Sequence, residues 1–90
     1  MAHGVDFPGS NKVFLPPPGR DDVLPLHTFV NGSCIVSAWE PTDEELAEII
    51  RTRRIFLSSF SGDVLFPVFV GSESIVRSVV VDYGAVWKPA

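Results

Sequence analysis

The period of the apolar positions changes along this chain, and one stretch has the period of a helix. Leu46, Ile49 and Ile50 are three and four residues apart, which places them in one stripe on a helix that is otherwise polar. Thr42 and Glu45 have the spacing of a capping box, in which each side chain accepts a backbone N–H of the other residue. The sequence therefore predicts a helix that begins after Thr42 and lies with its stripe on an apolar surface.

The charges of this segment are ordered along the predicted helix. Acidic residues occupy its first turn and arginines stand at or just past its end, namely Asp43, Glu44, Glu45, Arg51, Arg53 and Arg54. This order complements the helix dipole, so it agrees with the predicted direction and extent of the helix.

A β-hairpin is predicted before the helix. Two β-prone runs flank Asn31 and Gly32, and an Asn-Gly pair in that position favours a type I′ turn. Such a turn would place Phe29 opposite Cys34. Two sets of side chains would then lie on opposite faces of the hairpin, with Phe29, Cys34, Val36 and Ala38 on one face and Ile35 and Trp39 on the other.

Three further strands are predicted after the helix. Their apolar runs cover residues 55–60, 64–70 and 75–83 and are separated by turn-forming residues. Pro67 has no N–H to donate, so the second of these strands would lie at a sheet edge or carry a bulge. Because both faces of these strands are apolar, the sheet would need the helix on one face and the N-terminal segment or a second subunit on the other.

The N-terminal segment is rich in residues that break regular structure. It contains five prolines and three glycines, and the run from Pro16 to Pro18 favours polyproline II. The sequence therefore predicts an extended Pro-rich arm over residues 1–25. Residues 26–90 would form a single α+β domain, with one helix and a small antiparallel or mixed sheet of about five strands.

Composition and charge narrow the classes of function. The net charge of −4 opposes bulk nucleic-acid binding, which needs an excess of lysine and arginine facing phosphate. Seven phenylalanines and two tryptophans are many for the core of a 90-residue chain, so we expect a homo-oligomer or another partner to cover part of the apolar surface. The apolar runs are shorter than the ~20 residues of a membrane helix and do not resemble a signal peptide, so a soluble cytoplasmic protein is expected.

Candidate catalytic groups are few. Cys34 and His27 fall on the same predicted hairpin face, but a small core cysteine and a surface histidine explain them better than a catalytic dyad. One cysteine and two histidines are too few for a closed zinc site, and isolated glycines between strands do not form a phosphate-binding loop. We therefore expect no enzymatic activity, no catalytic residue, no metal site and no cofactor.

The polar feature with the most potential for ligand binding is the arginine group Arg51, Arg53 and Arg54. Three guanidinium groups within four residues can hold an anion such as a phosphate, and Trp39 or Trp87 could stack on a base. The sequence thus predicts an anionic nucleotide ligand at these arginines and Trp39. The alternative is that the arginines only complement the helix dipole, with Arg51 paired one turn back.

The region around the predicted helix also carries a family signature. It consists of Leu15 to Val23, the run Cys34-Ile35-Val36-Ser37-Ala38-Trp39-Glu40-Pro41-Thr42, and then Glu44-Glu45-Leu46, Ile49, Ile55-Phe56-Leu57 and Pro67-Val68. These residues resemble a family of small uncharacterised proteins of tailed bacteriophages and prophages. That family often has a glycine after the helix and two prolines in the later strand, where this chain has Arg53-Arg54 and, for the first proline, Phe66. The resemblance implies a shared fold and a phage origin, and it implies no catalytic residue.

These observations together predict a small non-enzymatic binding protein of a phage or prophage, acting as a homo-oligomer in the host bacterial cytoplasm. Its expected role is to blunt host defence, either by sequestering a nucleotide signal or by inhibiting a host protein. The alternative is a minor structural protein of the virion or of its assembly, for which an arm that clasps a neighbour would be suited.

Overall fold

The computed structural model of the protein describes residues 1–20, 22–59, 62–64 and 67–80. Within these residues the elements are, in order, β1 (His3–Val5), β2 (Lys12–Phe14), β3 (Leu26–Val30), β4 (Ile35–Glu40), α1 (Asp43–Thr52) and α2 (Glu73–Val80). The strands form an antiparallel, curled sheet in the order β1-β4-β3-β2. The predicted α+β class is confirmed, with four strands and two helices in the described residues instead of about five strands and one helix.

Strands β3 and β4 form the predicted hairpin, but in a different register. Phe29 lies opposite Val36, whereas a type I′ turn would have placed it opposite Cys34. The difference is two residues, so every side chain keeps its predicted face, because side chains alternate along a strand with a period of two. Phe29 and Val36 are both buried and form the centre of the core.

The hairpin loop explains the difference in register. The Asn31 side-chain oxygen accepts the N–H groups of Ser33 and Cys34, at 3.0 and 2.7 Å. Gly32 is the only residue of this loop with a positive φ, at 91°, whereas a type I′ turn needs a positive φ at both central residues. The predicted two-residue turn is therefore wrong, and hydrogen bonds to the Asn31 side chain shape a four-residue loop instead.

Both edge strands come from the segment that the sequence analysis assigns to an arm. Gly4 of β1 lies opposite Trp39 of β4, and Lys12 of β2 lies opposite Thr28 of β3. The Thr28 side chain is fully buried, and its hydroxyl donates to the Lys12 carbonyl at 2.8 Å. Backbone pairing with the central hairpin therefore holds this segment in place.

Helix α2 lies where the sequence pattern predicts a fifth strand, over residues 75–83. That prediction is wrong as far as the described residues reach, and residues 81–83 lie outside them. Val80 is buried with Phe29 and Val36, and Val76 packs against the same cluster from one helical turn away. Burial of this helix face outweighs the β propensity of its valines.

The predicted third and fourth strands, at residues 55–60 and 64–70, are also wrong where the structure describes them. Residues 55–59, 64 and 67–70 form neither a strand nor a helix. Phe60, Leu65 and Phe66 lie outside the described residues. In the described residues β1 and β2 occupy both sides of the central hairpin, and the predicted sheet of later strands is not present there.

Helix α1 has the predicted cap but not the predicted packing. The Thr42 hydroxyl accepts the Glu45 N–H at 3.2 Å, and the Glu45 carboxylate accepts the Thr42 N–H at 3.0 Å, which confirms the capping box. No side chain of α1 is buried, and Leu46 and Ile50 are 45% and 68% exposed. In the described residues, the prediction that this helix covers a face of the sheet is therefore wrong, and α2 packs against the core instead.

Candidate functional site

An open groove of about 330 Å³ lies between β1, the segment before β3 and the end of β4. We call it the Trp39 groove. Its lining includes His3, Gly4, Asp22, Leu24, Leu26 and Trp39. Most of its lining is apolar, and because the groove is open it could cover only part of a bound apolar group.

Trp39 is positioned in the groove by the pairing of β1 with β4. Gly4 lies opposite it, and a Cβ atom at Gly4 would lie 2.6 Å from a Leu26 methyl carbon and 3.6 Å from the Trp39 ring. The glycine thus leaves the space in which these two side chains approach each other. The Trp39 indole N–H donates to the Ser37 hydroxyl at 2.8 Å, and the residue is 56% exposed. Its ring is therefore oriented by a hydrogen bond and accessible to a partner.

The Asp22 carboxylate at the rim of the groove is paired with the guanidinium group of Arg20. Asp22 accepts two hydrogen bonds from the Arg20 guanidinium, each 3.0 Å long. These bonds lower the pKa of the Asp22 carboxyl and raise the pKa of Arg20. The Arg20–Asp22 pair is neutral overall, so it gives the rim no net positive charge that would attract a phosphate group.

The predicted arginine group lies at the C-terminal end of α1. Arg51 contacts Glu48 across 3.8 Å, in agreement with the alternative in which it pairs one turn back. Arg53 is the C-cap, with a left-handed φ of 58°, and its N–H donates to the Ile49 carbonyl. Within the part of the chain that the structure describes, neither Arg53 nor Arg54 forms an ion pair.

The arginines and Trp39 do not form one site within a protomer. Trp39 precedes the N-terminal end of α1 and Arg53 follows its C-terminal end, and the ten residues between Asp43 and Thr52 span ~15 Å along the helix axis. Stacking of a base on Trp39 and binding of its phosphate at the arginines are therefore not coupled by this geometry. Trp87, the other residue predicted to stack, lies outside the described residues.

The observed register also separates Cys34 from His27. Cys34 lies at the end of the hairpin loop and packs against the core, and the two residues are four positions apart along the ladder, about 13 Å. The His27 ring nitrogen lies 3.6 Å from a carboxylate oxygen of Asp6. The pKa of Asp6 is lowered mainly by the Ser10 hydroxyl and the Phe7 N–H, with a smaller contribution from His27. A Cys–His dyad is therefore not formed.

The groove could not be predicted from sequence because its walls come from distant parts of the chain. His3, Asp22 and Trp39 meet only through the pairing of β1 with β4 and the path of the chain into β3. No local pattern marks that pairing. Of the residues that line the groove, the sequence analysis singles out only Trp39 for ligand binding, as a side chain that could stack on a base held by the arginines.

Two further features of the described residues concern metal ions and membranes. No group of three or more His, Cys, Asp or Glu side chains there could hold a metal ion. Neither α1 nor α2 is long and apolar enough to cross a membrane. Comparison with protein-family models, curated proteins and solved structures finds no match to this chain, so its phage origin stays a prediction.

Proposed function

We propose that this protein is a small non-enzymatic binding protein that receives an apolar or aromatic side chain of a protein partner in the Trp39 groove. The observation that carries the proposal is a tryptophan that is 56% exposed at the wall of a largely apolar groove. Tryptophan, with tyrosine and arginine, is enriched among the residues that dominate binding energy at protein interfaces.

The energy available at Trp39 is sufficient for such a role. A tryptophan side chain offers about 200 Å² of surface, so covering its exposed half removes about 100 Å² from water. At ~25 cal/mol per Å², this burial stabilises a complex by about 2–3 kcal/mol. A contribution of that size is in the range of the residues that dominate an interface.

The electrostatics of the groove favour a protein partner over a nucleotide. Asp22 contributes a carboxylate to the rim, and the nearby Arg20 is already bound to it. The arginines that lack an ion pair within the described residues lie at the other end of α1. If the phage resemblance holds, the partner is a protein of the bacterial host, whose inhibition blunts host defence, or in the alternative a protein of the virion.

Two matched variants, Trp39→Ala and Ile35→Ala, test this proposal. Ile35 and Trp39 lie on the same face of β4, about 13 Å apart, and are 66% and 56% exposed. Each variant thus removes one large exposed side chain from the same strand face, and only Trp39→Ala removes it from the groove. Proteins retained from a host lysate by the immobilised wild type are identified, and the Kd of each is then measured with purified protein.

We expect Trp39→Ala to raise the Kd about tenfold or more, and Ile35→Ala to leave it unchanged. Circular dichroism is used to check that both variants keep the wild-type fold. Equal losses in the two variants, or wild-type affinity in Trp39→Ala, contradict the proposal. A thermal shift of the wild type with nucleotides, unchanged in Trp39→Ala, would instead favour an anion site away from the groove.

A further inference from the structure

Helix α1 presents an apolar stripe that the described part of the chain leaves largely exposed. Ile50 is 68% and Leu46 45% exposed, and Ile49 is half-buried. A ten-residue helix without a buried side chain is marginal in water, since isolated helices shorter than ~12–15 residues are rarely stable. The capping box supports one end of α1, and the exposed part of the apolar stripe would add stability if another surface covered it.

The charges at the ends of α1 are arranged to match a second, antiparallel copy of the same helix. Asp43 and Glu44 lie in the first turn, and Arg53 and Arg54 follow the last. When two copies run antiparallel about a two-fold axis through the middle of α1, the acidic end of each lies beside the basic end of the other. A parallel arrangement would place like charges together, which disfavours it.

The spacing along α1 fits the same arrangement. With the axis at position 48, residue 43 of one copy faces residue 53 of the other, and residue 46 faces residue 50. Asp43 therefore lies opposite Arg53, and Leu46 lies opposite Ile50. Because positions 46 and 50 are one turn apart on the same face, the two apolar stripes meet along their length.

These end charges are available for contacts between subunits. Within the described part of the chain, none of Asp43, Glu44, Arg53 and Arg54 takes part in an ion pair. Glu45, the other acid of the first turn, is occupied by the capping box. Glu45 thus stabilises the helix within one protomer, whereas the other four charged residues would form the contacts between the two subunits.

The segment that follows α1 adds apolar area to this surface. Ile55, Phe56 and Leu57 are 65%, 89% and 63% exposed, and an antiparallel pair brings this segment near the start of the partner's α1. Taking about 150 Å² for a fully exposed side chain of this size, these three with Leu46 and Ile50 offer about 500 Å² per protomer. That is more than half of the ~800 Å² per partner of a standard interface.

We infer that two copies of this chain form a homodimer by antiparallel packing of α1, with Leu46 and Ile50 at its centre and the oppositely charged ends of α1 at its rim. The proposed dimer surface and the Trp39 groove share no residue, so each proposal is tested with its own variants. Of the possible occupants of the stripe, a second copy matches it in both the apolar centre and the order of the charges.

The apolar centre is tested with Ile50→Glu and a matched control, Ile35→Glu. The two isoleucines have nearly equal exposure, 68% and 66%, so each variant places a new carboxylate at a similarly exposed site. Sedimentation velocity over a range of micromolar concentrations should show a wild-type dimer. We expect Ile50→Glu to raise the dimer Kd about tenfold or more and Ile35→Glu to leave it unchanged.

The charged rim is tested by mixing two variants. Asp43→Lys/Glu44→Lys makes both ends of α1 basic, and Arg53→Glu/Arg54→Glu makes both ends acidic. Each variant alone should dimerise less than the wild type because its ends repel, and an equimolar mixture should regain dimers, which also shows that both proteins are folded. A monomeric wild type, equal effects of Ile50→Glu and Ile35→Glu, or no recovery in the mixture would overturn the inference.

Discussion

Thr42→Ala tests how helix α1 is stabilised. The substitution removes the hydroxyl that accepts the Glu45 N–H at 3.2 Å, and loss of such a cap costs about 1 kcal/mol. Because no side chain of α1 is buried, the cost should fall on the local opening of the helix and not on the unfolding of the sheet. The thermal midpoint of the whole protein is therefore the wrong measurement for this variant.

Amide hydrogen exchange measures the local effect. A loss of 1 kcal/mol corresponds to about a fivefold change in an equilibrium constant, so the protection factors of the α1 amides should fall about fivefold. The amides of β3 and β4 should keep their protection, because the core of Phe29, Val36 and Val80 is untouched. All samples are compared at one protein concentration, since self-association would also protect α1.

Two control variants isolate the hydroxyl. Thr42→Ser keeps an oxygen at the cap and should retain most of the protection. Thr52→Ala makes the same substitution at the other end of α1, where the hydroxyl donates to the Glu48 carbonyl, and should have a smaller effect. Wild-type exchange in Thr42→Ala would refute the role of the cap, and equal losses in α1 and the hairpin would refute the independence of α1 from the sheet.

The same helix should respond to acid through Glu45. The Thr42 N–H is the main cause that lowers the pKa of the Glu45 carboxyl below its ordinary value of 4.5. A carboxyl whose pKa is lower in the folded state stabilises that state while it is ionised. Protection of α1 should therefore be full above pH 4.5 and fall as the pH drops through the lower pKa of the folded helix, and it should not do so in Glu45→Gln.

The conformation of Arg53 and the buried hydroxyl of Thr28 provide two further tests. Arg53 has a φ of 58°, a conformation that costs a residue with a β-carbon about 1 kcal/mol. Arg53→Gly should therefore raise the hydrogen-exchange protection of α1 severalfold. An equal gain in Arg53→Ala would contradict this reason, because alanine keeps the β-carbon. Thr28→Val removes the 2.8 Å hydrogen bond to the Lys12 carbonyl at a fully buried site. It should lower the free energy of unfolding, measured in urea, by about 1–2 kcal/mol. An unchanged urea midpoint would show that this hydrogen bond adds no net stability.

Predictions based on contacts between near neighbours agree with the structure. Thr42 and Glu45 are three residues apart, so the capping box needs only the first turn of the helix to form. The predicted faces of the hairpin are also correct, because alternation is a property of the strand itself. The register is wrong by two residues because an Asn-Gly pair allows more than one loop, and the Asn31 side chain selects the observed one.

Predictions that depend on which distant segments meet are the ones that fail. Residues 75–80 are apolar and β-branched, and they become α2 because Val76 and Val80 pack on the hairpin core. The segment after α1 lacks strands where it is described, and β1 and β2 take the places on both sides of the hairpin instead.

The same distinction between local and long-range contacts applies to the candidate site and to the surface of α1. The sequence by itself determined the direction, the cap and the charged ends of α1, since these depend on residues within a few positions of each other. Only the tertiary structure decided that the stripe of α1 is exposed and that Trp39 lines a groove with Gly4 and Asp22. Exposure and concavity arise from contacts between residues far apart in the chain, and the free energy of those contacts is not contained in any local pattern.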